Sequence, residues 1–330
     1  MSAGPKATVV VPTYNMDLYL GTALDSVLAQ TLEDFELLVI DNASTDGTAA
    51  LMARYGDPRI RYLRNERNLG WPASVQRGCE LAAGTFILFM GADDRLEPRF
   101  LEEAATFLDT EPTVAMVHGP AAWIDKDGRR FGGTGQAWKR ITPGHEAMLG
   151  AFGDGFCLTT MLMRTATIQA IGKLEQRWQE VLDLWLFLRM CLVGDIGYLD
   201  QVWCEYRIHD QAMSMPAYRE NLMFRRQMMA AREAFAWPEA IAAGAGGFRR
   251  AAERHSARIA MEVLHLSRAH GRKRLLRNLM EIVREVPEVL LQPRTWARAG
   301  FGLLPLGVIE HLRRARHRRA LSQARAKPAP

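Results

Sequence analysis

The sequence predicts an α/β fold, a mixed sheet flanked by helices, with a helical extension behind it. Three observations carry that expectation. Short apolar, β-branched runs alternate with segments of helical period through the front of the chain. Each run stops abruptly at polar residues, as buried parallel strands do at the edge where open sheets bind their ligands. Behind residue 215 the strand pattern gives way to Ala, Arg, Leu and Met, all strong helix formers. With 330 residues and 48% hydrophobic content, the chain can fill one large α/β domain plus an extension.

Ala7-Thr-Val-Val-Val-Pro12 reads as a buried strand, and Leu18, Leu20, Ala23, Leu24, Val27 and Leu28 then recur at helical spacing between Asp17 and Ala29. Phe35 to Ile40 is a second strand. It stops at Asp41-Asn-Ala-Ser-Thr-Asp-Gly-Thr48, where Ser44 or Thr45 is suited to cap a helix running through Leu51 and Met52 to Tyr55. Arg59 to Leu63 is a short third strand, Ala73 to Ala82 a helix, and Thr85 to Met90 a fourth strand. This alternation predicts parallel strands joined by right-handed crossovers. Thr13, Tyr14 and Asn15, then Asp41 and Asn42, then Asp93 and Asp94 fall on one edge of such a sheet. The adjacent carboxylates Asp93 and Asp94 repel unless a cation or a set of donors lies between them, so they read as half of a hard-metal site. Their other reading is a turn or cap for the helix that follows.

The net charge of +5 hides an asymmetry: residues 1–215 hold 19 Lys+Arg against 28 Asp+Glu, and residues 216–330 hold 23 against 9. An acidic front and a basic rear, suited to anionic surfaces, meet near Pro216. The four cysteines, Cys79, Cys157, Cys191 and Cys204, lack CxxC spacing and read as buried free thiols of a reducing cytosol. The longest apolar candidate for a span, Ala299 to Ile309, is 11 residues with Pro305 inside it, against roughly 20 needed to cross a bilayer. After Glu310 the tail His311 to Arg319 carries no acid. It is either a solvated helix end or a peripheral contact with an anionic membrane face. No GxGxxG follows the first strand and no GxxxxGK[ST] occurs, which disfavours a dinucleotide dehydrogenase or a P-loop ATPase.

Val11-Pro-Thr-Tyr-Asn15, Asp41 to Thr48, Asn68-Leu-Gly70 and Ala82-Ala-Gly-Thr-Phe-Ile-Leu-Phe-Met-Gly-Ala-Asp-Asp94 together resemble the family 2 glycosyltransferases of the GT-A fold, in order and in spacing. The resemblance runs over about residues 6–215, more weakly through Phe156 to Arg164, Asp183 to Arg189 and Tyr206 to Ser214. It implies a Rossmann-like catalytic domain over residues 1–215 that moves a sugar from a nucleotide-diphosphate donor to an acceptor hydroxyl with inversion. The acceptor it implies is a glycan or a lipid-linked molecule, in polysaccharide, cell-surface glycan or glycolipid assembly. By the same resemblance Pro12, Thr13 and Tyr14 flank the base, Asp41 and Asn42 contact it, and Gly70 and Ala92 belong to the donor-binding motifs. Asp93 takes Mn²⁺ or Mg²⁺ bridging the diphosphate, with Asp94 as its metal-site neighbour. A metal there neutralises charge growing on the leaving group. Arg207 and His209 lie in a segment expected to face the diphosphate as anion partners.

The family's general base is usually the acid of a Glu-Asp pair, but here Gln179-Glu-Val-Leu-Asp-Leu-Trp185 has Val181 at that place. Glu180 or Asp183, three apart on one helix face, must take the role. Gly91 and Asn42 also depart from the family, in place of an acid at each position. These departures leave a second reading, a catalytically weak relative acting as a binding or assembly subunit. Trp178, Trp185 and Trp203 are candidates to line an acceptor cleft, Trp185 being the more core-like. In the basic, mainly helical rear part, 216–330, Ile259, Val263 and Leu266, and Leu275, Leu279, Ile282 and Val286, form apolar stripes that would pack on the catalytic domain or on a second subunit. Nucleic acid is not expected, for want of aromatic interleaving or any known motif.

Overall fold

The computed structural model describes residues 4–134, 137–153, 157–212, 214–264 and 271–291. The described residues form two compact units, one within Met1–Ala212 and Met229–Arg249, the other within Met213–Met228 and Arg250–Pro330.

The first unit opens with β1 (Ala7–Thr13), α1 (Asp17–Leu28), β2 (Phe35–Asp41), α2 (Thr48–Met52), β3 (Ile60–Arg64), α3 (Trp71–Leu81) and β4 (Phe86–Phe89). β1 pairs in parallel with β2 and β4, and β2 with β3, as the alternating pattern requires. It continues with β5 (Arg95–Leu96), α4 (Phe100–Thr110), β6 (Val114–His118), β7 (Ala121–Ile124), β8 (Arg130–Gly133), β9 (Ile141–Thr142), α5 (Gly144–Gly150), β10 (Leu162–Arg164), α6 (Thr165–Ala170), α7 (Leu182–Cys191), β11 (Asp195–Tyr198) and β12 (Cys204–Arg207). The main sheet has the order β3-β2-β1-β4-β10-β6-β11-β9. It is mixed because β10 runs antiparallel between β4 and β6. A second sheet, β5-β12-β7-β8, sets β12 parallel to β7 and antiparallel to β5. After β12 the chain forms α8 (Ser214–Arg219), α9 (Leu222–Ala234) and α10 (Pro238–Ala242).

Val9 and Val11 of β1, Leu37 and Val39 of β2 and Phe86 and Leu88 of β4 share one core with Leu20, Leu24 and Val27 of α1 and Phe100 and Leu108 of α4. Fully burying each such side chain contributes roughly 1.5–3 kcal/mol. On the other face α3 lies close to β1, and a Cβ on Gly78 would stand 2.4 Å from Val10 Cγ1. Glycine at that position is what permits the helix to approach. Neither Ser44 nor Thr45 caps α2. Its N-cap is Gly47, and Asp46 Oδ1 accepts from the Thr48 N–H instead.

In the second unit Phe224 and Met228 form a separate core with Ala257, Ala260, Met261, Leu264, Leu275, Ile282, Val286 and Val289. α11 (Arg249–Val263) therefore buries Ala257, Ala260 and Met261, with Ile259 and Val263 only half-buried, so its inward stripe is displaced from the expected one. Alanine leaves a smooth face that packs closely. Leu275, Ile282 and Val286 are buried as their spacing suggested, from α12 (Arg272–Glu285) onward. Leu266, the Ala299 to Ile309 run and the basic tail lie outside the described residues. Among the described residues no helix is long and apolar enough to cross a membrane.

Candidate active site

Because β1, β2 and β4 are parallel, their carboxyl ends reach the same edge, where Thr13 pairs with Asp41 in register. The backbone there is unusual. Asn15 and Ala43, just past the ends of β1 and β2, have φ of 53° and 66°. Alanine rarely adopts this left-handed conformation, and such strain concentrates at functional sites. Side chains hold it in place: Asn15 Oδ1 accepts from the Thr45 N–H at 2.8 Å, and Ser44 Oγ accepts from the Asn15 N–H at 3.0 Å.

Asp41 is buried, accepting from the Ser44 N–H and the Tyr62 hydroxyl, with Arg64 Nε 3.8 Å away. Burial, then the hydrogen bond to Asp41, pushes the Tyr62 phenol up to about 12. Asn42 is buried as well and acts as a clamp. Its Oδ1 accepts from Asn65 Nδ2 and the Leu69 N–H, and its Nδ2 donates to Asn68 Oδ1. A carboxylate has no donor for that last bond. Gly70 follows at φ +84°, and a Cβ on it would stand 2.7 Å from Gln176 Nε2. The loop after β3 thus touches the start of the 3₁₀ segment Gln176–Val181, which leads into α7. Pro12 and Thr13 are buried, the Thr13 hydroxyl without a hydrogen-bond partner, and Tyr14 stands exposed on the rim.

After β4 the chain turns through Met90-Gly-Ala-Asp-Asp94. Asp94 is only 2% exposed. Its Oδ2 accepts from the Thr159 hydroxyl at 2.6 Å and its Oδ1 from the Arg207 N–H at 3.0 Å. Burial, and next the charge of Asp93, push its carboxyl up to about 7. The Thr159 hydroxyl also accepts from the Gly91 N–H at 3.2 Å, closing the turn. A Cβ at Gly91 would stand 2.7 Å from Asp94 Oδ2 and 2.9 Å from Asp93 Oδ1, so an acid at that position does not fit this arrangement.

Asp93 is half-buried, its Oδ2 2.9 Å from His209 Nε2. Arg207 is buried beneath, where Nε donates to the Asp93 carbonyl and Nη1 to the Asp125 carbonyl. Its guanidinium lies 4.6 Å over the Tyr19 ring, which also packs 5.0 Å from the His209 ring. Arg207 is therefore occupied with backbone carbonyls, and it rivets the Asp93 turn to β12. Ala92 is buried within that turn.

Glu180 lies on the 3₁₀ segment that begins at Gln176 and Asp183 on α7, both half-buried. Asp183 Oδ1 accepts from the Leu184 N–H at 2.7 Å, and burial pushes its carboxyl up to about 6. Val181, where the resemblance expects an aspartate, is buried. Trp178, Trp185 and Trp203 are 1%, 7% and 1% exposed, so they belong to the core and not to a cleft wall. Sequence reasoning missed Thr159, Tyr19, Tyr62 and Asn65, and it marked Asn68 only as part of the Asn68-Leu-Gly70 motif. The Asn65 to Asn68 polar cluster at a strand end was a visible signal, whereas nothing in Leu158-Thr-Thr160 pointed to Asp94.

Residues 8–168 match the model of glycosyl transferase family 2. The putative glycosyltransferase EpsE of Bacillus subtilis is 31% identical over 204 residues, 60% of this chain and 71% of that protein. The chain belongs to glycosyl transferase family 2. A PGL/p-HBAD biosynthesis glycosyltransferase of Mycobacterium tuberculosis is 36% identical over 121 residues, and there this glycosyltransferase spans only 47% of its relative's length. Two solved structures share the GT-A fold. S. aureus TarS 1-349 in complex with UDP-GlcNAc superposes with a TM-score of 0.56 at 20% identity, over 97% of this chain and 91% of that one. The mannosyltransferase PcManGT from Pyrobaculum calidifontis, in complex with GDP-Man and Mn²⁺, gives 0.57 at 18% identity, over 95% and 88%.

Proposed function

We propose that this glycosyltransferase is a metal-assisted, inverting enzyme that moves a sugar from a nucleoside-diphosphate donor to an acceptor hydroxyl. The observation that carries the reading is the Asp93 Oδ2 to His209 Nε2 pair at 2.9 Å, held from below by Arg207 and Asp94. A carboxylate oxygen suits Mn²⁺ or Mg²⁺, and an imidazole nitrogen beside it favours the transition metal Mn²⁺ over Mg²⁺. Among the described residues no set of three or more His, Cys, Asp and Glu is placed to hold a metal. Two protein donors with the remainder from phosphate oxygens and water is how Mg²⁺-type sites are commonly completed. The bound ion would offset charge developing on the departing diphosphate. UDP-GlcNAc in TarS, and GDP-Man with Mn²⁺ in PcManGT, support the donor class and the metal.

Thr13, Tyr14 and the loops pinned by Asp41 and Asn42 form the nucleoside end of the site in this reading. Asp183 is the general base. A carboxyl held up at about 6 is mostly ionised at neutral pH, yet basic enough to take a proton from an attacking hydroxyl. Arg207 positions the turn, and His209 joins Asp93 at the metal, on the side that faces the diphosphate. The acceptor is a glycan or a lipid-linked molecule. On α12, Leu276 and Met280 are 43% and 65% exposed, beside exposed Lys273, Arg277 and Arg284. That face suits an anionic membrane surface bearing such an acceptor.

Isothermal titration of UDP and GDP with and without Mn²⁺, followed by hydrolysis of their sugar conjugates, tests the proposal. Binding should require the metal and fall at least about 10-fold in Asp93→Asn, since loss of even a supporting partner of a metal site costs about 10–100-fold. Binding without turnover of any donor would favour a binding subunit, the reading that buried Val181 supports. No binding of either nucleotide would remove both.

A further inference from the structure

Cys157 Sγ and Cys204 Sγ lie 3.7 Å apart, and both thiols are free. The two residues come from distant parts of the chain, and each sits beside an arm of the same clamp. Cys157 precedes the 3₁₀ turn Leu158–Thr160, whose Thr159 hydroxyl donates to Asp94 Oδ2. Its own carbonyl accepts from the Thr160 N–H and hydroxyl, which ties its backbone to that turn. Cys204 opens β12, three residues before Arg207, whose N–H donates to Asp94 Oδ1. The exposures are unequal: Cys157 is half-buried, and Cys204 is buried between β5 and β7. Cys79 and Cys191 are both buried and are not part of this pair.

We propose that Cys157 and Cys204 are a thiol–disulfide exchange site, closed by a small disulfide oxidant of the glutathione type, that sets the geometry of the Asp94 clamp. Cys157, as thiolate, attacks one sulfur of the oxidant. A mixed disulfide forms and one glutathione leaves as thiolate. Cys204 then gives up its proton and attacks Cys157 Sγ, expelling the second glutathione. The two cysteines lose two electrons and two protons, and the oxidant becomes two thiols. Burial holds the Cys204 thiol well above its ordinary range, so it does not take the first step, and in the second its 3.7 Å approach to Cys157 Sγ offsets its small thiolate fraction. Bond formation brings the sulfurs from 3.7 Å to about 2.0 Å, drawing the Thr159 and Arg207 arms together around Asp94. Displacements near 1 Å in a positioned site cost orders of magnitude in activity. The consequence for nucleotide binding rests on the donor site proposed above, but the disulfide itself does not.

The full-length protein, equilibrated with oxidised glutathione, alkylated and digested without reductant, should yield a linked peptide pair containing Cys157 and Cys204. Cys79 and Cys191 should be alkylated only after unfolding. Affinity for UDP or GDP with Mn²⁺ should fall about tenfold or more on oxidation and return with dithiothreitol. Cys157→Ser should keep the reduced-state affinity and ignore the oxidant. Absence of the linked pair overturns the site, and a linked protein of unchanged affinity overturns its coupling to the clamp. If the reduced protein binds neither nucleotide, the donor reading fails, while the peptide map still decides whether the exchange site exists.

Discussion

Replacing Asp94 by asparagine should stabilise the metal-free protein at pH 8 and leave it almost unchanged near pH 4. Asparagine has nearly the same shape. Its Oδ1 can accept from the Arg207 N–H, and its Nδ2 can donate to Thr159 Oγ1, so both arms of the clamp survive in altered polarity. What disappears is an anion in a site only 2% exposed, next to a second carboxylate. The folded protein holds the Asp94 carboxyl at about 7, above the 3.8 of a free one. Folding therefore takes up a proton between those values, and the wild type loses stability as pH rises through that window at about 1.4 kcal/mol per unit. Below about pH 4 both states are protonated and no penalty applies. Above about pH 7 the penalty is complete, at most about 4 kcal/mol. Thermal melts of the two proteins in EDTA from pH 4 to 8.5 measure it. The gap in Tm should open steadily to several degrees in favour of the variant. A gap independent of pH, or a variant less stable at pH 8, would refute the reasoning.

Asp183→Asn should lower kcat by about 10²–10⁴ while leaving nucleotide affinity unchanged, and wild-type activity should fall as pH drops below about 6, where this base becomes protonated. Val181→Asp restores the family's pattern but places a charge at a buried position. It should destabilise the protein by several kcal/mol in urea unfolding without raising turnover. Asn42→Ala removes three hydrogen bonds that hold the loop after β3, and should cost about 1–3 kcal/mol of stability. The same variant should show faster proteolysis between Asn65 and Gly70.

Much of the fold's first half was legible because its signals are local. Val9, Val10 and Val11, or Phe86 to Phe89, can be nothing but buried strand, and Leu20, Leu24 and Val27 mark the face α1 turns inward. β10 was not legible. It has three residues and owes its place to the gap between β4 and β6, which only the folded sheet supplies. The same division holds in the site. Asp93 and Asp94 stand out as adjacent acids at a strand end, and their opposite orientations do not. One faces His209 and the other is buried against Thr159 because the turn after Gly91 splays them. Arg207 looks like an anion partner in sequence, but its backbone-carbonyl contacts depend on strand pairing between β12 and β7. The tryptophans misled for a plain reason: a large flat side chain is as useful in a core as on a binding surface.

The Asp93 turn is completed by residues far along the chain, with Arg207 and His209 standing 113 to 116 positions from the carboxylates they touch. A nascent chain that has left the ribosome only through Asp94 carries the acids but lacks Thr159, Arg207 and His209. At elongation rates of about 5–20 residues per second, that interval lasts on the order of ten seconds. During synthesis, then, the Asp93 turn is completed late, when β12 pairs with β7. Any shortened chain lacking the residues after Cys204 would keep the acids and lose their grip.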